Sequence, residues 1–300
     1  MGVAGGERGE RVVARLRARV EAVEDRLAEA GRGAVGSAAS GGNLDAESVH
    51  AIRVHCKVLR AGWHLLAPAL GTTVARGPER ALRDAARSLR AEREARVLRA
   101  TLIRVVKRQA RPGETDALER LMEEIRQRHP TAGESVPVSP ALTATFPAQR
   151  EALAAVTAPI PVDALREGLL ESYRRARRFG RRADGGGGRA DEAWHRCRRW
   201  VKYELYQRDL LARDEGDRGR RRRRLDRLGR ELGRFQDLCD LRAIVRTAED
   251  ALADAGALET VATVLGREDR RLRRRMRRRF RALYHRGPAA QRRHLLRRLS

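Results

Sequence analysis

Only Cys56, Cys197 and Cys239 are cysteines in a chain of 300 residues. Their odd number, wide spacing and lack of any Cys-x-x-Cys exclude a disulfide framework and a structural zinc site, and point to a reducing compartment. Aromatic residues make up 4% of the chain, so a core must be aliphatic, as in helix bundles. Rings are also too sparse to offer many stacking platforms for single-stranded nucleic acid. No segment approaches 18 consecutive apolar residues, and the N-terminus lacks the apolar core of a signal peptide. The expectation is a soluble, cytoplasmic protein that engages no membrane. A Gly-x-x-x-x-Gly-Lys-[Ser/Thr] phosphate loop is also missing. Gly185–Gly188 is followed by Arg189-Ala190 and reads as a linker.

Lysine is the sharpest shortage: Lys57, Lys107 and Lys202 stand against 63 arginines. Codon usage in a GC-rich genome accounts for part of this. Arginine is also the better phosphate ligand, because its planar fork donates two parallel hydrogen bonds. The formal net charge is +26, of which residues 166–300 carry +20. Such a chain repels itself unless polyanions surround it, so an acidic polymer is the default partner.

Helical periodicity runs through nearly the whole sequence, and no alternating strand pattern stands out: the fold class is all-α. Helices are predicted over 9–30, 45–67, 78–110, 114–128, 162–182, 190–213, 217–253, 257–285 and 288–299, with a short one near 148–156. Asn43 or Asp45 suits the N-cap of the second helix, and Pro68 helps to close it. Six of the ten prolines lie between Pro130 and Pro161. The chain therefore divides into a first helical half (1–128), a proline-rich linker or insertion (129–161) and a second helical half (162–300).

The second half repeats the first. His50-x-x-Arg53-x-x-x-Lys57 returns as His195-x-x-Arg198-x-x-x-Lys202, displaced by 145 residues. Leu82, Arg87, Leu89, Leu98, Arg99 and Ala100 return 143 residues later as Leu225, Arg230, Leu232, Leu241, Arg242 and Ala243, and an acid recurs as Glu94 and Asp237. Two of three lysines falling on one repeated element is poorly explained by chance. The pattern indicates an internal duplication with pseudo-two-fold symmetry.

On a helix, His50, Arg53, Lys57, Arg60 and His64 fall within about 80° of arc. The apolar stripe Val49, Ile52, Cys56, Leu59, Trp63 and Leu66 is centred about 110° away. The basic row extends about 21 Å, enough for several phosphates of an extended chain. His195, Arg198, Arg199, Lys202 and Tyr206 form a comparable row. Each residue also has a plainer role open to it. The rows could be solvated faces, although few acids lie four residues away to neutralise them, and the histidines could simply hydrogen-bond helix neighbours. Cys56 and Cys197 lie on apolar faces and read as core. Glu94 and Asp237 suit the orienting of arginines better than acid–base chemistry. The runs Arg220–Arg224 and Arg273–Arg279 suit RNA, DNA or polyphosphate equally.

At these residues the sequence resembles the CHAD family, histidine-containing α-helical domains associated with inorganic polyphosphate. Val49 to Arg60 has the family's H-x-x-R-x-x-x-K-x-x-R layout, and Trp194 to Gln207 is similar to its other form, H-x-x-R-[KR]-x-x-K-Y-x-x-Y. Leu82–Arg87, Tyr173–Arg178 and Phe235–Leu241 are similar in the same way, and the likeness spans about residues 10–285. Glu94 stands where the family commonly has Asp, Val54 replaces a frequent basic residue, and 129–161 match no family segment. The resemblance implies two antiparallel four-helix bundles related by a pseudo-two-fold axis, with a basic groove or channel for polyphosphate, and recruitment to polyphosphate granules. Carried over by position, the polyphosphate-binding set is His50, Arg53, Lys57, Arg60, Arg83, Arg87, Arg174, Arg178, His195, Arg198, Arg199, Lys202 and Arg230.

The resulting expectation is non-enzymatic binding of inorganic polyphosphate, and secondarily of other polyanions, with no cofactor, metal or catalytic residue. Nucleic-acid binding is the alternative supported by charge alone, since no helix-turn-helix, zinc-finger or RRM signature occurs. An enzyme or accessory factor of polyphosphate metabolism is the third reading. It would need metal-holding carboxylates or a phosphate cradle. Glu92-x-Glu94-x-Arg96 lies on a predicted helix, where residues two apart face different ways.

Overall fold

The computed structural model describes residues 3–32, 42–89, 91–128, 135–212, 219–247 and 255–298. Among them the chain is all-α apart from one short strand pair. In chain order the elements are α1 (Val3–Arg32), β1 (Asn43–Asp45), α2 (Ala46–Leu70), α3 (Thr72–Ser88), α4 (Ala91–Gln109) and α5 (Thr115–Arg128). These are followed by β2 (Ser135–Pro137), α6 (Pro140–Ala154), α7 (Val162–Asp184), α8 (Ala190–Leu211), α9 (Arg220–Thr247), α10 (Ala255–Tyr284) and α11 (Pro288–Arg298).

α2 begins where its sequence says it should. Asp45 accepts the Ser48 amide proton at 2.7 Å and caps the first turn. Pro68 sits inside the last turn, and the helix stops at Gly71, whose φ of 90° a residue with a Cβ adopts only at a cost. The predicted stripe from Val49 to Leu66 is buried along its whole length. Each such side chain contributes about 1.5–3 kcal/mol of burial.

Two features depart from the sequence reading. Asn43–Asp45 pair antiparallel with Ser135–Pro137 in a strand pair too short to show alternation. The region read as 78–110 is two helices. α3 ends at Ser88, and the Arg53 guanidinium donates to the carbonyls of Ala86 and, at 3.0 Å, Leu89. α9, which carries the residues read as the repeat of this region, runs unbroken over 28 residues.

The proline-rich segment is built into the fold. α6 spans Pro140–Ala154, earlier than predicted, and packs against α1 and α3. Its buried Gln149 accepts from Trp63 Nε1 at 2.7 Å and donates to Pro78 O at 3.2 Å. The helices form two groups: α1, α2, α7 and α8 pack on one another, as do α4, α5, α9 and α10. Each group takes two helices from residues 1–128 and two from 162–300, so the halves are interleaved. Gly168 is where α7 crosses α2 most closely, since a Cβ there would stand 2.4 Å from Leu65 O.

Arginines from distant parts of the chain close helix C-termini, whose last carbonyls have no partner within their own helix. Arg15 of α1 donates to Asp209 O, Leu210 O and Ala212 O at the end of α8 (2.7–3.0 Å). Arg17 reaches Leu153 O at the end of α6, and Arg267 of α10 reaches Gln109 O, the last residue of α4. Arg177 and Arg221 together close α10 at Tyr284 O and Leu283 O. A guanidinium suits this place twice, because its fork spans several carbonyls and its charge offsets the negative helix end.

Candidate functional site

The basic row of α2 faces α3. His50 is exposed in the first turn, Arg53 closes α3 as described, and Lys57 is half-buried one turn on. Arg60 forks onto one oxygen of Glu79 through Nε at 3.2 Å and Nη2 at 2.8 Å, while His64 Nε2 stands 3.7 Å from the same oxygen. The imidazole of His64 and then the Arg60 guanidinium pull the Glu79 carboxyl down to about 2, against the opposing effect of burial. The row is thus partly neutralised by an acid on the neighbouring helix, which i,i+4 counting along its own helix does not detect.

α8 meets this cluster from the other half. The Tyr203 hydroxyl lies 3.5 Å from Glu79, and the Arg60 guanidinium lies over the Tyr203 ring at 5.9 Å. His64 packs edge-on against Trp200 at 5.2 Å, and Arg175 of α7 covers the Trp200 ring at 4.6 Å. Burial pushes the Tyr203 hydroxyl up to about 12, moderated by the charges of Arg60 and Arg199. The structure therefore brings Arg60 and Arg199 around one ring.

The second row runs along α9. His195 Nδ1 lies 2.7 Å from Gln236 Oε1. Arg198 crosses Gly233, with Nη2 3.3 Å from where a Cβ would stand, and Lys202 crosses Gly229, with Cε 3.0 Å from the equivalent point. Two glycines one turn apart leave a slot in α9 into which the two basic side chains settle. Glycine costs a helix about 1 kcal/mol against alanine, and here a Cβ would displace both cations. Lys202 Nζ stands 3.9 Å from Asp226, which Arg230 also reaches at 3.1 Å. Burial lowers the lysine's affinity for its proton. Asp226 opposes that effect, while the charges of Arg198 and Arg230 add to it.

The remaining predicted residues lie elsewhere. Arg83 and Arg87 are exposed on α3 beside Asp84, at 3.2 and 3.4 Å. On α7, Arg174 pairs with Glu167. Arg178 lies 4.8 Å over the Phe179 ring, which Arg196 also approaches at 5.7 Å. Cys56 and Cys197 are fully buried, and burial pushes both thiols up, Cys56 to about 12, so both are core. Asp237 is half-buried on α9, and the side chain of Glu94 lies outside the described residues.

The arginine runs are not uniform surfaces. Arg221 turns inward to the buried Glu204 at 2.7 Å, and Arg222 pairs with Asp209. Arg273 bridges Asp191 and Asp269 at 2.7 Å each and covers the Phe235 ring. Arg277 reaches Asp184, and Arg279 lies near Glu231. Sequence reasoning missed Glu79, Trp200, Gly229 and Gly233, and it held Tyr203 only as a position of the second motif, outside the expected binding set. Of the missed residues only the glycine pair left a trace, a Gly-x-x-x-Gly in a helix otherwise full of arginine.

Residues 14–246 match the model of the CHAD domain. Four solved chains match the fold. A structure of the CHAD domain from the plant Ricinus communis aligns with a TM-score of 0.58 at 17% identity, covering 93% of this chain and 92% of that one. PptA from Streptomyces chartreusis aligns with a TM-score of 0.57 at 18% identity, covering 93% and 99%. No curated protein matches the chain. Among the described residues, no helix is long and apolar enough to cross a membrane.

Proposed function

The chain belongs to the CHAD domain family, and from that premise we propose that it binds inorganic polyphosphate, without catalysis, along the two basic rows of α2 and α8. The observation that carries this reading is the crowding of Lys202 and Arg230 at Asp226, with the charge of Arg198 pressing on the same lysine and Asp209 adding a weaker offset. Like charges held this close raise one another's free energy, and a phosphate chain laid across them relieves the repulsion. Arg199, exposed one position from Arg198, continues the surface towards Tyr203 and the Arg60–Glu79 pair. The carboxylates of the rows support binding over chemistry, because Glu79 and Asp226 are already engaged by cations. Recruitment of the protein to polyphosphate granules in the cytoplasm follows from such binding.

The architecture belongs to the same proposal. A pseudo-two-fold axis relates residues 1–128 to 162–300, bringing α1 onto α7 and α2 onto α8, with 129–161 as the connection. It passes through both four-helix groups, which are the two antiparallel bundles. The sequence offsets of 145 and 143 and the equal share of each half in each group support it.

The test is competition among long-chain polyphosphate, RNA and duplex DNA at matched charge and salt, on the intact protein and on two double variants. Arg199→Ala with Arg230→Ala removes one exposed member of the α8 row and the exposed α9 arginine that shares Asp226 with Lys202. Arg270→Ala with Arg274→Ala removes two exposed arginines of α10. Charge-assisted contacts at a held position are worth about 1.5–3 kcal/mol each, and rim charges much less. The first pair should weaken polyphosphate binding by more than about tenfold and the second only slightly. Equal losses, or preference for nucleic acid, would overturn the reading.

A further inference from the structure

We infer that the molecule carries a second anion site, for a compact small molecule bearing a di- or triphosphate, in the cavity between the C-terminal ends of α8 and α10, the start of α9, and α11. The cavity holds about 410 Å³, and Arg208, Arg220, Arg222, Arg224 and Arg286 line it with no carboxylate among its described lining residues. Its volume lies at the lower end of small-molecule pockets, about 300–1,000 Å³. One wall is apolar, with Leu169, Leu211, Leu283 and Leu295, a surface for which an inorganic chain has no use.

The cavity is rigidly supported. Glu204, fully buried, accepts from Arg208, Arg221 and the Tyr284 hydroxyl at 2.7–3.1 Å, so the guanidinium groups beneath the cavity are held before a ligand arrives. An adjoining cavity of about 330 Å³ shares Arg224 and Leu283 and adds Arg227, Arg278 and Arg279, which extends the positive field.

Its lining shares no residue with the α2 and α8 rows, although Arg222 on its wall lies in the field of Asp226, and it stands whether or not they bind polyphosphate. The experiment is isothermal titration of the full chain with inorganic tripolyphosphate and, separately, with ATP, both without metal. In the Arg199→Ala, Arg230→Ala variant, whose rows are weakened, a site for the ligand should remain. In that background Arg220→Ala with Arg224→Ala, both exposed lining residues outside the core, should weaken it about tenfold, and Arg286→Ala should weaken it as well. Tighter binding of ATP would place the base on the leucine wall, and equal binding would mean that the phosphates alone are read. Absence of binding by both ligands, or binding indifferent to both cavity variants, would overturn the inference.

Discussion

Glu79→Gln should make the protein less stable and its hold on polyphosphate stronger. Glu79 is the acid that the Arg60 guanidinium and the His64 imidazole share, and its carboxyl is held at about 2 against an ordinary 4.5. At about 1.4 kcal/mol per pH unit that gap sets a ceiling of about 3 kcal/mol on what the ionised group contributes. The side chain is 23% exposed, and solvent screening brings the figure to about 1–2 kcal/mol. A folded-state pKa below the unfolded one stabilises fully above pH 4.5, and that stability is lost as pH falls towards 2. Urea unfolding should therefore show the native protein ahead of the variant by about 1–2 kcal/mol at pH 7, with the gap closing between pH 4.5 and 2. In the same variant one negative charge leaves the row and Arg60 loses its partner, so polyphosphate should bind several-fold more tightly at moderate salt. A stability gap that stays constant down to pH 2, or weaker binding in the folded variant, would refute the reasoning.

Other perturbations have equally definite signs. His55 is held near 4, below its ordinary 6.5, first by burial and then by the charges of Arg19 and Arg26. Stability present above pH 6.5 should thus fall by about 1–3 kcal/mol on the way to pH 4, and His55→Leu should flatten that limb in urea midpoints. Arg53→Met should leave the Ala86 and Leu89 carbonyls unmet, cost about 1–3 kcal/mol, and speed amide hydrogen exchange in the last turn of α3. Gly168→Ala should push α7 off the Leu65 carbonyl and lower the melting temperature by several degrees, about 1–3 kcal/mol of overpacking.

Helix positions were legible in the sequence because an apolar stripe of period 3.6 and its caps are local signals. The stripe from Val49 to Leu66, the Asp45 cap and the break at Gly185–Gly188 all depend on near neighbours. The split between α3 and α4 was not legible, because the guanidinium that takes up the last carbonyls of α3 belongs to Arg53, more than 30 residues upstream. The same holds at the candidate site. Periodicity placed Arg60, His64, Arg198 and Lys202 in rows, but no pattern along the chain assigns Glu79 to the first row or Asp226 to the second. The buried Gln149 shows the limit most plainly: it falls within the short helix predicted near 148–156, but nothing along the chain marks this polar residue as buried until Trp63 is found against it.

The arginine closures of the helix ends bear on the order in which the molecule is made. Arg15 near the start of the chain completes α8, and Arg267 near its end completes α4. Each of these helix ends is closed from the other half, although helical proteins ordinarily fold on local contacts and so reach the native state quickly. As the chain leaves the ribosome, α4 stands with an open end until residue 267 has been synthesised, and α1 waits with an unused guanidinium for residues 209–212. The last steps of folding are therefore long-range ones, and the nascent first half is the form most exposed to aggregation and to proteases.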